Sequence, residues 1–138
     1  KILARDHVTD MEFARENNIN YVHLDELLKE SDIVTLHLPL DNDTKGFFDR
    51  NLFLQMKDQA IFINTSRGKL VDEDGLYDVL SAGKISHACL DVYNNEPYTG
   101  KLNELDNVTL TCHIGSYAKE ARIKMEEQAV ENLLKGLG

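Results

Sequence analysis

The chain has 138 residues, of which 42% are hydrophobic, and its 15 Lys and Arg against 24 Asp and Glu give a formal net charge of −9. This length predicts one domain that can bury a core, and the apolar fraction argues against disorder. The acidic balance disfavours binding to nucleic acid or to an anionic membrane surface. Because the two cysteines do not make a disulfide framework, we expect a reducing, cytoplasmic setting.

In the first part of the chain, the predicted elements alternate between strands and helices. Short apolar or β-branched runs predict strands at residues 1–6, 20–23 and 32–38, and the last of these stops at Pro39. Helices are predicted at residues 8–16 and 25–29, and Asp25 is the expected N-cap of the second.

The second part of the chain continues this alternation. Strands are predicted at residues 60–64, 85–92 and 108–112, and helices at residues 50–56 and 73–82, with Asp49 and Asp72 as N-caps and Gly83 just past the end. The last and longest helix is expected to follow an N-cap at Ser116. Its apolar face is formed by residues recurring every four positions, Ala121, Met125, Ala129 and Leu133.

This order of elements predicts the fold class. Strands alternating with helices indicate an α/β domain with a doubly wound parallel sheet of the Rossmann type. The near-continuous apolar run at residues 60–64 is typical of a strand covered on both faces. In such folds ligands bind beyond the carboxyl ends of the strands, so the residues that follow each strand are the candidate functional residues.

Four charged or titratable residues follow different predicted strands. Asp6 ends the first strand, where an acid can hold the ribose hydroxyls of a dinucleotide and repel a 2′-phosphate. Arg67 follows the fourth strand beside a glycine hinge, Gly68, and can grip a carboxylate in a fork. Glu96 follows the fifth strand and His113 the last, and a carboxylate beside a histidine favours general acid–base chemistry.

Each of these residues alone is more often a capping, surface or hydrogen-bonding residue, and only their joint occurrence at one edge of a sheet favours a site. The remaining histidines, His7, His23 and His87, have no ligand spacing, so we expect no metal site. Cys89 and Cys112 lie on the last two strands and are expected to be small buried hydrophobic residues.

Four ordered segments of the chain resemble the D-isomer-specific 2-hydroxyacid dehydrogenases: DELLKESDIVTLHLPL, FINTSRGKLVDEDGL, ACLDVYNNEP and HIGSYAKEA. The resemblance implies that Arg67 binds the substrate carboxylate and polarises its carbonyl, that His113 exchanges the proton, and that Glu96 pairs with His113. Cys112 departs from the family, which usually has Pro before this His. The residues expected to contact the NAD cofactor are Asp6 at the ribose, Asp91 at the nicotinamide amide, and His37, Leu38, Pro39, Thr65, Ser66 and Gly115 along the cleft.

The resemblance implies hydride transfer between NAD and a 2-hydroxy or 2-oxo acid, in a homodimer joined through the NAD-binding domain. The closing stretch, SYAKEARIKMEEQAVENLLKGL, looks most like phosphoglycerate dehydrogenases of serine biosynthesis, although hydroxypyruvate and glyoxylate reductases end similarly. A non-catalytic module that senses NAD, as in corepressors of this fold, is the alternative. The joint presence of Arg67, Glu96 and His113 favours the enzyme.

The glycine-rich fingerprint of dinucleotide-binding folds is not found in the chain. It belongs about 20 residues before the ribose acid, which places it ahead of Lys1 if Asp6 is that acid. Gly136-Leu137-Gly138 matches half of the fingerprint but follows a helix, so we interpret it as a helix end. We therefore expect residues 1–138 to be an incomplete NAD-binding domain that begins after the central first strand. In this interpretation the helix at 117–138 leads toward a substrate domain outside the sequence.

Overall fold

In a computed structural model, residues 1–137 are described, and the part of the predicted helix end at Gly138 lies outside them. The order of elements is the predicted alternation of strands and helices, with two added 3₁₀ turns at Gly68–Leu70 and Lys101–Glu104. In chain order the elements are β1 Ile2–Ala4, α1 Met11–Glu16, β2 Ile19–Tyr21, α2 Leu24–Glu30, β3 Ile33–Leu36, α3 Arg50–Gln55, β4 Ile61–Asn64, α4 Glu73–Ser81, β5 His87–Leu90, β6 Val108–Leu110 and α5 Lys119–Leu137.

The strands form two parallel sheets. β1 pairs with β2, and β3, β4, β5 and β6 pair in chain order, all of them parallel. The parallel α/β fold class is therefore confirmed. Within residues 1–137, the edge strands β1, β2, β3 and β6 each have one neighbouring strand. In the order expected from the resemblance, the first strand of the fold lies between the edges of β1 and β3.

The core lies on one face of the larger sheet, beneath α2, α3 and α4. Three phenylalanine rings, Phe48, Phe53 and Phe62, meet there with centroids 4.7 to 4.9 Å apart and are at most 1% exposed. Such tilted aromatic contacts add to the free energy gained from burying the rings. The core holds the strands of the larger sheet in place, and it therefore fixes the strand ends that carry the candidate residues.

The opposite face of the larger sheet is less covered than the sequence indicated. Side chains alternate along each strand, and Ile33, Ile61 and His87 lie side by side on this second face. Ile33 is 56% exposed, while Ile61 and Ile63 are half-buried. Within residues 1–137, strand 60–64 is therefore buried on the first face and partly covered on the second, since the helices that bury apolar side chains against this sheet lie on the first face.

Two of the predicted helix caps are confirmed. The Asp49 carboxylate accepts the Leu52 N–H at 2.9 Å at the start of α3, and the Asp72 carboxylate accepts the Asp74 N–H at 3.1 Å at the start of α4. Each of these bonds satisfies a backbone donor that has no partner within the helix. Gly83 follows α4 with φ +69°, a conformation that glycine adopts without strain.

The other two predicted caps are wrong. α2 begins one residue early, with His23 at the cap position, and Asp25 lies inside the first turn, where its charge still complements the helix dipole. Ser116 is not the cap of α5, because a turn closed by the Tyr117 N–H on the Ile114 carbonyl at 2.9 Å comes first and the helix begins at Lys119.

The long helix α5 buries none of its side chains within the described residues. Met125 and Leu133 of its predicted apolar face are 55% and 62% exposed, so this face does not contribute to the core described above. None of the helices in residues 1–137 combines the length and the apolar character that a membrane span needs.

Candidate active site

Glu96 and His113 are brought together at the carboxyl ends of β5 and β6. The Nδ1 atom of His113 lies 2.9 Å from Oε2 of Glu96, and Oε1 of Glu96 accepts the Tyr93 N–H at 3.1 Å. The hydrogen bond with His113, supported by the Tyr93 N–H, lowers the pKa of Glu96 below its ordinary value. A carboxylate on Nδ1 fixes the ring and leaves Nε2 as the nitrogen that can exchange a proton with a ligand.

The backbone at His113 is held in an unusual conformation by Asp91. His113 has φ +53°, which a residue with a Cβ atom rarely adopts. The two oxygens of Asp91 accept hydrogen bonds from the Thr111 hydroxyl at 2.6 Å and from the Ile114 and Gly115 N–H groups at 2.9 Å. These bonds fasten the chain on both sides of His113, so the conformation of this loop is set by one buried carboxylate.

The Asp91 carboxylate stays ionised although it is only 7% exposed. Burial raises the pKa of Asp91, but the three hydrogen bonds that it accepts outweigh this effect, so its pKa lies below the ordinary value. Its predicted contact with a nicotinamide amide stays a prediction, since the structure gives the carboxylate these three protein partners.

Arg67 lies on an exposed loop that is organised by Asn64 at the end of β4. Asn64 is buried, its side-chain amide donates to the Arg67 carbonyl at 3.0 Å, and its side-chain oxygen accepts the Ser66 N–H at 3.1 Å. The Arg67 guanidinium is exposed to solvent and donates to the Ser66 carbonyl at 2.6 Å. The loop is thus fixed while its cation remains accessible.

Gly68 places the Arg67 loop directly against the loop that carries Glu96. A Cβ atom on Gly68 would lie 1.9 Å from the carbonyl carbon of Tyr93, three residues before Glu96. The expectation that Gly68 is a hinge is therefore wrong: its φ is not in the left-handed region, and the glycine is needed for the close approach of two backbones.

The remaining predicted cleft residues surround the end of β3. The Nε2 atom of His37 lies 3.2 Å from the Thr35 hydroxyl, and the Ser66 hydroxyl donates to the Leu36 carbonyl at 2.7 Å, so the ends of β3 and β4 are tied together. Leu38 is half-buried, while Pro39 and Thr65 are exposed. Their contacts with a cofactor stay predictions.

Asp6 lies on the smaller sheet, just after the end of β1. Its carboxylate accepts the Val8 N–H at 3.3 Å and is otherwise exposed. Together with Tyr21 and His23 it lines an open cavity of about 370 Å³. An exposed carboxylate beside a cavity at the strand ends is compatible with the predicted ribose contact.

A larger cavity of about 540 Å³ opens beside the Glu96–His113 pair, and its residues are Tyr93, Glu96, Pro97, Tyr98, Asn103, Leu110, Thr111 and Cys112. Cys112 is exposed and lines this cavity, and Cys89 is half-buried, so the expectation that both are buried is wrong. Cys112 follows the end of β6, where the chain leaves the sheet. In the part of the chain that the structure describes, no three His, Cys, Asp or Glu side chains are grouped as metal ligands.

Three residues that shape this region were not identified from the sequence, namely Thr111, Asn94 and Glu73. Thr111 donates to Asp91, and the Asn94 N–H donates to Glu73 at 2.6 Å. All of them act through other residues, and no motif signals such an indirect role in a single sequence. The one available signal is that two acids, Asp72 and Glu73, lie at the start of the helix, although Asp72 alone caps α4.

In sequence, residues 1–115 match the family model for the NAD-binding domain of D-isomer specific 2-hydroxyacid dehydrogenases. The chain is 41% identical over 136 residues to a glyoxylate reductase of Korarchaeum cryptofilum, covering 97% of the chain and 41% of that protein. It is 38% identical over 141 residues to a D-3-phosphoglycerate dehydrogenase of Archaeoglobus fulgidus, covering 99% of the chain and 27% of that protein.

Among solved structures, a D-lactate dehydrogenase from Aquifex aeolicus, complexed with NAD and lactic acid, is similar with a TM-score of 0.83 and 33% identity. The match covers 99% of the chain and 46% of that structure. The chain therefore spans less than half the length of each of these proteins.

Proposed function

Since the chain belongs to the D-isomer specific 2-hydroxyacid dehydrogenase family through its NAD-binding domain, we propose that the intact protein is an NAD-dependent oxidoreductase acting on 2-hydroxy or 2-oxo acids. The observation that carries the proposal is the 2.9 Å contact between Glu96 and Nδ1 of His113 at the strand ends. A module that only binds NAD has no need of an acid–base pair in this place.

His113 is proposed as the group that exchanges the proton with the substrate oxygen. The side chains of His113 and Glu96 are 49% and 38% exposed, so a substrate can reach them. Glu96 occupies Nδ1 of His113, so Nε2 is the nitrogen that would supply the proton in the reduction of a 2-oxo acid. The hydride comes from the cofactor, and the protein supplies the proton and the binding geometry.

Arg67 is proposed to bind the substrate carboxylate and to stabilise the charge that develops on the carbonyl oxygen. The proposal is supported by its accessible guanidinium and by the Gly68 contact that fixes its loop against the loop of Glu96. The planar guanidinium of Arg forms two parallel hydrogen bonds with a carboxylate, which the ammonium of Lys does not. Because the chain is acidic overall, anionic ligands depend on such a local cation.

For NAD, we propose Asp6 at the adenosine ribose, with Asp91, Gly115 and the residues after β3 and β4 along the cleft. The cavity beside Asp6 supports the ribose contact. We further propose that a segment outside this sequence supplies the glycine-rich loop and a strand that pairs with the open edges of β1 and β3. That strand would satisfy backbone groups that are unpaired within residues 1–137.

The proposed substrate is 3-phosphoglycerate, on the strength of the closing stretch of the sequence. Relatives named glyoxylate reductase are as similar as those named phosphoglycerate dehydrogenase, so hydroxypyruvate or glyoxylate is the alternative. Formation of NADH by the intact protein, measured with D-3-phosphoglycerate, D-glycerate and glycolate, identifies the substrate through the highest kcat/KM.

The test of the mechanism is His113→Ala in the intact protein, with His87→Ala on β5 as the matched control. We expect the first variant to lose about 10²- to 10⁴-fold in kcat while its Kd for NAD is kept, and the control to turn over normally. Arg67→Lys should raise KM for the acid and lower kcat. Normal turnover of the His113 variant would contradict the proposed mechanism.

Two further proposals concern assembly and the non-catalytic alternative. We propose a homodimer formed through the NAD-binding domain, which light scattering of the intact protein tests. A protein that binds NAD but oxidises none of the three acids would favour the alternative, an NAD-sensing module.

A further inference from the structure

The loop that carries Glu96 is fastened to the start of α4 by a carboxylate with no part in capping. Oε1 of Glu73 accepts the Asn94 N–H at 2.6 Å, and the Asn94 side-chain amide donates to the Val71 carbonyl at 3.3 Å. Glu73 is half-buried, and burial raises its pKa above the ordinary value. Two hydrogen bonds therefore join Asn94 to a three-residue stretch of another element.

The hydrogen bonds of Asn94 lie between the two proposed catalytic segments, the Arg67 loop and the Glu96 loop. Asn94 directly follows Tyr93, whose N–H is bonded to Glu96 and whose carbonyl carbon lies against Gly68. Glu73 follows Gly68 by five residues, through the 3₁₀ turn at Gly68–Leu70. One short stretch thus carries the Arg67 loop at one end and holds the Glu96 loop at the other.

We propose that Glu73 is a positioning residue, which sets the place of the Glu96–His113 pair relative to Arg67 by holding Asn94. The inference rests on the proposed function for its kinetic consequence, while its structural consequence can be measured without turnover. Removing the acceptor frees the Asn94 N–H, lets the loop of residues 93–96 shift, and lengthens the contact between Glu96 and His113.

The adjacent acid of the same helical turn provides a matched control. Asp74 is exposed and forms a surface ion pair with Lys101 at 2.9 Å, so its removal deletes an equal charge while leaving the hydrogen bonds of residues 93–96 in place. Among the described residues, Glu73 takes part in no ion pair, and its side chain accepts the single hydrogen bond from Asn94.

The experiment uses Glu73→Ala, Glu73→Asp, Glu73→Gln and the control Asp74→Ala in the intact protein. The first readout is the pKa of the Glu96 carboxyl, followed by carbon NMR, and the second is kcat and KM in the NADH assay. Glu73→Asp keeps the charge but is one methylene too short, and Glu73→Gln keeps an acceptor oxygen of the original length.

We expect the pKa of Glu96 to rise toward its ordinary value in the Ala and Asp variants, and kcat to fall about tenfold with KM for NAD unchanged. The Gln variant and the Asp74 control should keep wild-type values of both the Glu96 pKa and kcat.

If Glu73→Ala does not fold, Glu73→Asp decides the outcome. A wild-type pKa of Glu96 in the Asp variant would overturn the inference, as would a Gln variant as impaired as the Asp variant. A wild-type protein that oxidises no 2-hydroxy acid would refute the proposed function, and the NMR readout would still decide the role of Glu73.

Discussion

Replacing Asp91 with Asn tests whether one carboxylate holds the His113 loop in its left-handed conformation. The carboxylate accepts three hydrogen bonds, from the Thr111 hydroxyl and from the Ile114 and Gly115 N–H groups. An Asn side chain has nearly the same shape but only one acceptor oxygen, and its amide group is itself a donor. Whichever way the amide is turned, either Ile114 or Gly115 faces a donor and loses its partner.

The magnitude follows from the value of one hydrogen bond to a charged group, about 1.5–3 kcal/mol. Because about 1.4 kcal/mol corresponds to a tenfold change in an equilibrium constant, opening of the loop should become ~10- to 150-fold more favourable. The backbone strain at His113, which has φ +53°, also favours opening of the loop once Asp91 makes fewer hydrogen bonds.

Amide hydrogen exchange of Ile114 and Gly115 in the intact protein measures this opening directly. We expect protection of at least one of these amides to fall by the stated factor in Asp91→Asn. The control Asp78→Asn removes a surface carboxylate that pairs with Arg50, and it should leave both amides unchanged. Wild-type protection of both amides in Asp91→Asn would refute the reasoning.

Two further predictions concern the contacts around Glu96. Gly68→Ala forces a Cβ atom to within 1.9 Å of the Tyr93 carbonyl carbon and should cost about 2–3 kcal/mol in denaturant unfolding, whereas the control Gly136→Ala meets no atom within 4 Å. Equal stability of the two variants would contradict the close approach. Since the pKa of Glu96 is lowered through its bond with His113, the ionised carboxylate stabilises the fold fully above its ordinary pKa of 4.5, and this stabilisation is lost as the pH falls through the lowered value. The unfolding midpoint of Glu96→Gln should therefore decrease less than that of the wild type between about pH 6 and about pH 3, and parallel curves would contradict the pairing.

The elements and strand ends could be predicted because short-range chemistry determines them. Asp49 and Asp72 precede helical segments and cap them, and the alternation of strands and helices is sufficient for a parallel α/β fold. The location of Glu96 and His113 at one edge of the sheet followed from the same logic, whereas their direct pairing was implied by the resemblance to the family.

The errors arose where tertiary packing outweighs local preference. α2 begins at Leu24 rather than after Asp25. Leu24 packs against the core, and the helix therefore includes Leu24 and Asp25. Ser116 is displaced from a cap position by the turn after His113, which depends on the distant Asp91. The closeness of Gly68 to Tyr93 is equally invisible in the sequence, because it joins residues 25 positions apart.

The division into two sheets gives the chain two units of unequal stability. The hydrophobic core draws on residues from Leu24 onward, and among residues 1–23 only Ala14 is buried. Unless the proposed strand joins β1 to β3, the β1–β2 unit should therefore open in fluctuations that leave the larger sheet intact. A dinucleotide in contact with both units binds only when the smaller one is closed, so its affinity includes the free energy of closing that unit. Without the proposed joining strand, closing of the first 23 residues and cofactor binding would be thermodynamically coupled, and the NAD concentration would set the fraction of molecules in which this end is closed.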